Sequence, residues 1–450
     1  MAGLLRRLRG RASSSKLAER LQQPSRIERV AFLGPVPPTA TGIATYDQAV
    51  LDGLARIGFT RDLPVDVIWP VDEHRGAYVP AYRLGVYQLG NNVDFHLQVY
   101  RTAWQAPGLV VLHDLALDDF VRGLQSVSDP LGYVAVREAL QARDQLRSSE
   151  ARRNEPLRTP WAAAIARRSR GIVVHSQFCR RYLQEFGCKT PIYVVPHPPV
   201  ESVEAIEGSA ARGRALRAKT EAQGAAALVV AVGDMNEAKR LDVVLRAAAL
   251  LDPSAHIALV GRKVPTFDVW PLVHASGLGE RLHVEQDVSD QDFLGWIHAA
   301  DVVVDLRFPH RGEVSGSLAR AMQVGRPTVL SATGTYLDVP DGSALHVGSG
   351  PGDPDELAER LRTLLEDPDL RRAMGATAKA YMDGLRTSEA TAHGYADAIE
   401  ATIAIVEDPT ASVLARWARS LADLGVTQEY VDAGYGLRYA RALEDFKTSS

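Results

Sequence analysis

RGEVSGSLARAMQVG, Arg311–Gly325, runs straight into the apolar PTVLS of Pro327–Ser331. An acidic residue, Glu313, stands in a Gly/Ser turn between Gly312 and Val314, and Ser315 and Ser317 are both good N-caps for a helix opening behind it. Gly325 with Pro327 just beyond is the usual C-terminal punctuation. A helix start offers free N–H groups and partial positive charge, so Val314, Ser315, Gly316 and Ser317 read as a phosphate site. Gly233–Arg240, GDMNEAKR, is a second strand-to-helix junction and carries Asn236 and the adjacent cations Lys239 and Arg240. Two such junctions suggest a diphosphate held between cations and a helix dipole. The plainer readings are an exposed basic face for Lys239 and Arg240 and a simple cap for Glu313. Position favours the first, because a helix dipole disfavours cations in its opening turn and a bound polyanion would remove the conflict.

Short apolar runs alternate with amphipathic stretches along the rest of the chain. Strands are expected at Arg29–Gly34, Val65–Trp69, Leu84–Gly90, Leu109–His113, Gly171–Ser176 and Ile192–Pro196. A second ladder is expected at Leu228–Gly233, His256–Gly261, Leu282–Gln286, Asp301–Leu306, Pro327–Ser331 and Ala344–Gly348. Runs apolar on both faces and separated by helices are what buried parallel sheets require. Two ladders give an α/β protein of two doubly wound, Rossmann-like domains, with ligands beyond the carboxyl ends of the strands and a site in the cleft between them. The break falls in the Ala/Gly/Glu-rich Pro198–Gly224, which lacks a strand pattern. Helices are expected at Ile43–Leu54, Leu357–Leu365, Leu370–Tyr381 and Glu389–Ile405, with a further helical stretch beyond Pro409 to about Leu424.

At 450 residues the chain is too long for one core and fits two domains. A net charge of −4 gives no reason to expect nucleic acid. Two cysteines, Cys179 and Cys188, make neither a disulfide framework nor a metal-ligand spacing, and a reduced, cytoplasmic setting is the simplest reading. The first 27 residues form a basic arm without a secretory h-region, and no run approaches the roughly 18 apolar residues of a membrane span. Arg6, Arg7, Arg9 and Arg11 beside Leu4, Leu5 and Leu8 could touch an anionic membrane surface; the very short apolar face favours a solvated arm instead.

Several polar residues sit at strand ends and converge on one edge: Asn91, Asn92 and His96 after Gly90, His113 and Asp114 after the Leu109 run, and Ser176. Each alone reads as structural; convergence raises the functional reading. The loop GPVPPTATGIATY places Gly42 where backbone could approach a ligand, although a glycine after a first strand is more often a turn. Asp118, Asp119 and Arg122 could line an acceptor pocket, with a solvated helix face as the plainer alternative. There is no nucleophile elbow, zinc spacing, Walker loop or GxGxxG after the first strand. The Asp-Pro-Asp runs at Asp353–Asp355 and Asp367–Asp369 read as loops leading into helices, not as metal sites.

From about Arg29 to Ile405 the chain resembles the family-four retaining glycosyltransferases of the GT-B fold, in PPTATGIATY, LGNN…H, VVLHD, VVHS, VVPH, GDMNEAKRLD and RGEVSGSLARAMQVGRPTVLS. The resemblance implies residues 28–200 as an acceptor domain, 201–224 as linker, 225–385 as donor domain, and 386–450 as helices of which the first packs back on the acceptor domain. It implies Gly42 near the diphosphate and acceptor, His113 on the transferred sugar, Lys239 on the diphosphate with Arg240 beside it, and Glu313 on sugar hydroxyls. Many family members carry arginine where Asp234 stands, and Arg240 could supply that charge. The family's Glu-x7-Glu falls on Gly312 and Arg320, so the ribose contact usually made by its second glutamate is displaced.

The implied activity is metal-independent transfer, with no cofactor, from a nucleotide sugar to a glycan, lipid-linked or other hydroxyl acceptor, in the cytoplasm or at the inner face of the cell membrane. Asp234 and Arg320 keep open a GT-B shell that binds without transferring, and a sugar-nucleotide epimerase on the same fold is a third reading.

Overall fold

The computed structural model describes residues 27–39, 41–147, 149–348, 353–387 and 389–407. Residues 1–26 of the basic arm and the helical stretch expected beyond Pro409 lie outside the described residues.

All twelve expected strands form, each within two residues of its expected bounds. The first sheet contains β1 (Ile27–Leu33), β2 (Val65–Ile68), β3 (Tyr82–Leu89), β4 (Leu109–Leu112), β5 (Gly171–Val174) and β6 (Ile192–Val194). The second contains β7 (Ala227–Val232), β8 (Ala255–Gly261), β9 (Leu282–Gln286), β10 (Val302–Asp305), β11 (Thr328–Ser331) and β12 (Ala344–Val347). The orders are β2-β1-β3-β4-β5-β6 and β12-β11-β10-β7-β8-β9. Every pairing is parallel, with Val303 opposite Val230 and Ala231 opposite Leu259 at the centre of the second sheet. The central strands are covered on both faces, which explains their predominantly apolar runs.

The chain changes direction in the second sheet between β7 and β10, and in the first between β1 and β3. Crevices open at the carboxyl ends of strands that part in this way. In the second sheet the crevice lies between the turn at Gly233 and the end of β10 at Asp305.

The helices that shape the site are α1 (Gly42–Arg56), α2 (Asp118–Ser126), α3 (Val203–Ala222), α4 (Leu241–Ala249), α5 (Gly316–Val324), α6 (Pro368–Thr387) and α7 (Ala390–Glu407). Where the sequence suggested only a linker, the structure places α3, capped by Ser202 and packed on the helix Asp290–Ala299 of the second lobe. Its small residues allow that approach: a Cβ at Gly213 would lie 2.4 Å from Cβ of His298. Helix α7 lies on the first lobe, where the Tyr395 and Tyr46 hydroxyls share a 2.9 Å hydrogen bond.

The lobes meet through the loop that follows β10. The carbonyl of Arg311 accepts from the N–H groups of Leu115 and Ala116 at 2.8 and 3.1 Å. Asn154 and the backbone of His310 exchange two hydrogen bonds, and the Cys179 thiol donates to the Gly312 carbonyl at 3.2 Å. Among the described residues, no helix is long and apolar enough to cross a membrane.

Beyond the strands, the turns after β7 and β8 stay joined: Met235 donates to the Arg262 carbonyl at 2.8 Å. A Cβ at Gly261 would stand 1.8 Å from the Gly233 carbonyl oxygen, a contact no side-chain rotation relieves. We predict that Gly261→Ala lowers stability by about 3 kcal/mol in urea unfolding, since backbone must separate. Wild-type stability would contradict this close approach.

Candidate active site

The floor of the second-lobe crevice is a buried ionic knot. The Lys239 ammonium donates to Oδ1 of Asp305, which is 1 % exposed, and the Ser315 hydroxyl donates to Oδ2 at 2.6 Å. Of the two candidate caps, Ser315 starts α5: its Oγ accepts from the Leu318 N–H at 3.2 Å. Among the described residues, the amides of Gly316 and Ser317 have no such partner, and Gly316 borders the cleft. Gly233, at φ +113°, faces the same point: a Cβ there would meet Nζ of Lys239 at 2.7 Å and Oγ of Ser317 at 2.9 Å. Asn236 caps the turn holding Lys239, accepting from its N–H at 3.2 Å. Burial pulls the lysine below its ordinary pKa even with Asp305 beside it. Lys239 therefore lies under the crevice and acts first on Asp305 and the start of α5.

Arg240 does not join it. The residue is left-handed at φ 50°, between the turn Glu237–Lys239 and α4, and its guanidinium bonds Asp242 at 3.0 and 2.7 Å. Asp242 relieves the conflict between a cation and the opening turn of a helix, and Arg240 is absent from the cleft lining. The paired lysine–arginine grip expected from the sequence is thus corrected: the left-handed hinge sends the two side chains apart.

Glu313 lines the cleft. One carboxylate oxygen pairs with Arg307 and the other accepts from the Arg311 N–H at 2.6 Å. Burial would raise its pKa, but Arg307 and the backbone donors outweigh that and hold it at about 2. Gly312, before it, is left-handed at φ 79°, and a Cβ there would press on Leu115 of the first lobe at 2.7 Å. The loop that carries Glu313 is therefore fixed by both lobes. Arg311 adds a cross-lobe ion pair to Asp118 at 3.1 Å. Asp118 also pairs with Arg122 and accepts from Asn91, so it clamps the lobes and is not a solvated face.

The first lobe supplies the opposite wall. Gly42 opens α1, and a Cβ there would meet nothing within 4 Å, so the backbone is accessible from the cleft. His113 hydrogen bonds through Nε2 to Oε1 of Gln88 at 2.8 Å, and His96 through Nδ1 to the Gln88 carbonyl at 3.1 Å. Desolvation lowers His113, and takes His96, His175 and His197 to about 4, 3 and 4, so all four are neutral at pH 7. Tyr46 stands among them, its ring centroid 4.8 Å from that of His113 and 5.0 Å from those of His175 and His197. Asp114 accepts from the Asn91 N–H at 3.0 Å; desolvation, then the Glu313 carboxylate, push it up to about 7. Asn91 and Asn92 border the cleft but spend polar atoms on structure, on Phe120 and Asp94 respectively. Ser176 is a cap: its Oγ accepts from the Cys179 N–H at 3.1 Å, and it lies outside the main cavity.

Between the walls is a cavity of about 630 Å3, which Gly42, His96, His113 and Asp114 share with Asp234, Arg262, Glu313, Val314, Gly316 and Arg320. Arg320 is held by Glu201 at 2.6 Å. Arg262, Arg307, Asp305, His175 and His197 were not singled out from the sequence as site residues. The signal available was the one used elsewhere, a polar residue at or just past an apolar strand, as in HIALVGR, DVVVDLR, GIVVH and YVVPH.

Comparison with known proteins fits this geometry. A family model for glycosyl transferases group 1 matches residues 226–367, the lobe carrying the ionic knot. A D-inositol 3-phosphate glycosyltransferase of Kineococcus radiotolerans is 29% identical over 256 residues, which is 51% of this chain and 57% of that protein. The chain thus spans little more than half the length of that curated relative. Sucrose-phosphate synthase from Thermosynechococcus elongatus superimposes with a TM-score of 0.57 at 18% identity, over 84% of this chain and 100% of the other. Anabaena HepE in complex with UDP and glucose gives a TM-score of 0.57 at 16% identity, over 83% and 100%. The fold is the two-domain α/β GT-B fold, with two parallel six-stranded sheets facing across a cleft.

Asp114 gives a pH test. Between the ordinary carboxyl pKa and about 7, the folded protein keeps a proton the unfolded chain has released, so stability falls as pH rises through that window. Asp114→Asn removes this slope. In urea unfolding, the stability of the variant relative to wild type is predicted to increase from pH 4 to pH 7 and then level off; a flat difference would contradict the raised pKa.

Proposed function

We propose that the protein is a retaining, metal-independent glycosyltransferase that moves a sugar from a nucleotide-sugar donor to a glycan, glycolipid or other hydroxyl acceptor. The observation that carries the reading is the Lys239–Asp305–Ser315 knot, which fixes a helix start and the Glu313 turn on one wall of an interlobe cavity. The donor diphosphate binds at the amides of Gly316 and Ser317, above the Lys239 ammonium. Glu313 stays ionised and accepts hydrogen bonds from the sugar hydroxyls, while His113 meets the sugar from the first lobe. Asp114 and Asn92 face the acceptor.

In the reaction the bond between the anomeric carbon and the β-phosphate oxygen breaks, and a bond to the acceptor oxygen forms on the same face. The acceptor proton passes to the departing phosphate oxygen, so no protein nucleophile is required. Charge grows on the diphosphate as it leaves, and preorganised donors aimed at that charge raise the rate. The shared loop 307–313 aligns the substrates from both lobes and limits water. The likeness to a D-inositol 3-phosphate glycosyltransferase supports glycosyl transfer, and the likeness in fold to a protein holding UDP and glucose is in keeping with a nucleoside diphosphate donor. A lipid-linked acceptor would give the basic residues 1–26 a membrane-facing purpose at the cytoplasmic side.

The test is nucleotide release from a panel of UDP-, GDP- and ADP-sugars with hydroxyl acceptors and EDTA present. Lys239→Ala frees Asp305 and removes the charge beneath the start of α5, and is predicted to lower kcat by about a hundredfold, a loss as large as that of one oxyanion donor. Glu313→Gln is predicted to lower kcat/KM for the sugar nucleotide. Turnover unchanged in Lys239→Ala would refute the site, and donor conversion without an acceptor would identify an epimerase.

A further inference from the structure

Asp234 places a carboxylate at the mouth of the crevice, where an anion would otherwise bind. It does not stand alone. Its two oxygens accept from Nε and Nη2 of Arg262 at 2.8 and 2.9 Å, a two-point grip that fixes the plane of the guanidinium. Arg262 follows β8 directly and Asp234 follows the Gly233 turn after β7, and both border the interlobe cavity beside Gly316.

The backbone beneath the pair is held at several points. Met235 donates to the carbonyl of Arg262, Lys263 donates to Oδ1 of Asp287 at 2.9 Å, and Gly261 lies against the Gly233 carbonyl with no room for a side chain. An exposed ion pair adds little to stability, and this one is open: the side chains of Arg262 and Asp234 are 70% and 40% exposed. What such an arrangement does well is present the remaining edge of a guanidinium in a fixed direction, and a planar donor fork matches phosphate oxygens.

We infer that Arg262, oriented by Asp234, is the second cation of the diphosphate site, in the place the sequence assigned to Arg240. The inference rests on the nucleotide-sugar reading above and deepens it. Lys239 contributes charge from below the crevice, the start of α5 contributes N–H groups from one side, and Arg262 closes the outer side. Asp234 is then a positioning residue: its negative charge is spent on aiming a cation.

The test is calorimetric titration of full-length protein with UDP, GDP and inorganic pyrophosphate, alongside thermal unfolding without ligand. Arg262→Ala is expected to weaken whichever nucleoside diphosphate binds wild type, and pyrophosphate with it, by about tenfold or more, while the unliganded Tm stays within about 2 °C. Asp234→Asn removes a negative charge, so simple charge counting predicts tighter binding; the positioning role predicts weakening of a few fold. Wild-type affinity in Arg262→Ala, or tighter binding in Asp234→Asn, would overturn the inference and leave the glycosyltransferase reading standing. If wild type binds no nucleoside diphosphate, that reading fails and the inference with it.

Discussion

A single buried carboxylate organises the second lobe. Asp305 ends the central strand β10 at the point where the sheet changes direction, and it accepts from a lysine on one side and a serine on the other. An ammonium buried without its partner costs about 3–5 kcal/mol, so Lys239 and Asp305 cannot part cheaply. Through Ser315 the same carboxylate sets where α5 begins. Helix start, lysine and strand end are therefore one unit, so the proposed phosphate site is already in place in the folded chain.

The loop after β10 extends that unit into the first lobe. Arg307 pairs with Glu313, the Arg311 carbonyl holds Leu115 and Ala116, Arg311 pairs with Asp118, and Gly312 fits against Leu115. One short segment thus carries the carboxylate that faces the cleft and much of the contact between the lobes. A change in lobe angle would move Glu313 relative to His113 and Asp114, so under the proposed function the alignment of donor and acceptor depends on that angle.

Much of this was legible in the chain itself. The apolar runs located every strand, because parallel strands buried on both faces are apolar along most of their length. The Ser-x-Ser turn and the Gly-x-Pro stop bracketed α5 correctly. Side-chain direction was less accessible. Arg240 reads as a site cation until its left-handed backbone is known, and Asp305 reads as the edge of a strand until β10 is seen beside β7. Arg262 becomes a partner of Asp234 only through the β7–β8 pairing, a contact across 28 residues of chain. Ser176 could not be told from a ligand contact by its position, since caps and binding residues occupy the same strand ends. Helix α3 was hidden because its Ala- and Gly-rich sequence lacks a clear apolar stripe.

The most direct test of the central claim is a crystal structure of the protein with the nucleoside diphosphate it binds. The account predicts a β-phosphate oxygen within hydrogen-bond distance of the Gly316 or Ser317 amide, over the Lys239–Asp305 pair. A diphosphate bound elsewhere in the cleft, with the opening of α5 left to solvent, would contradict it.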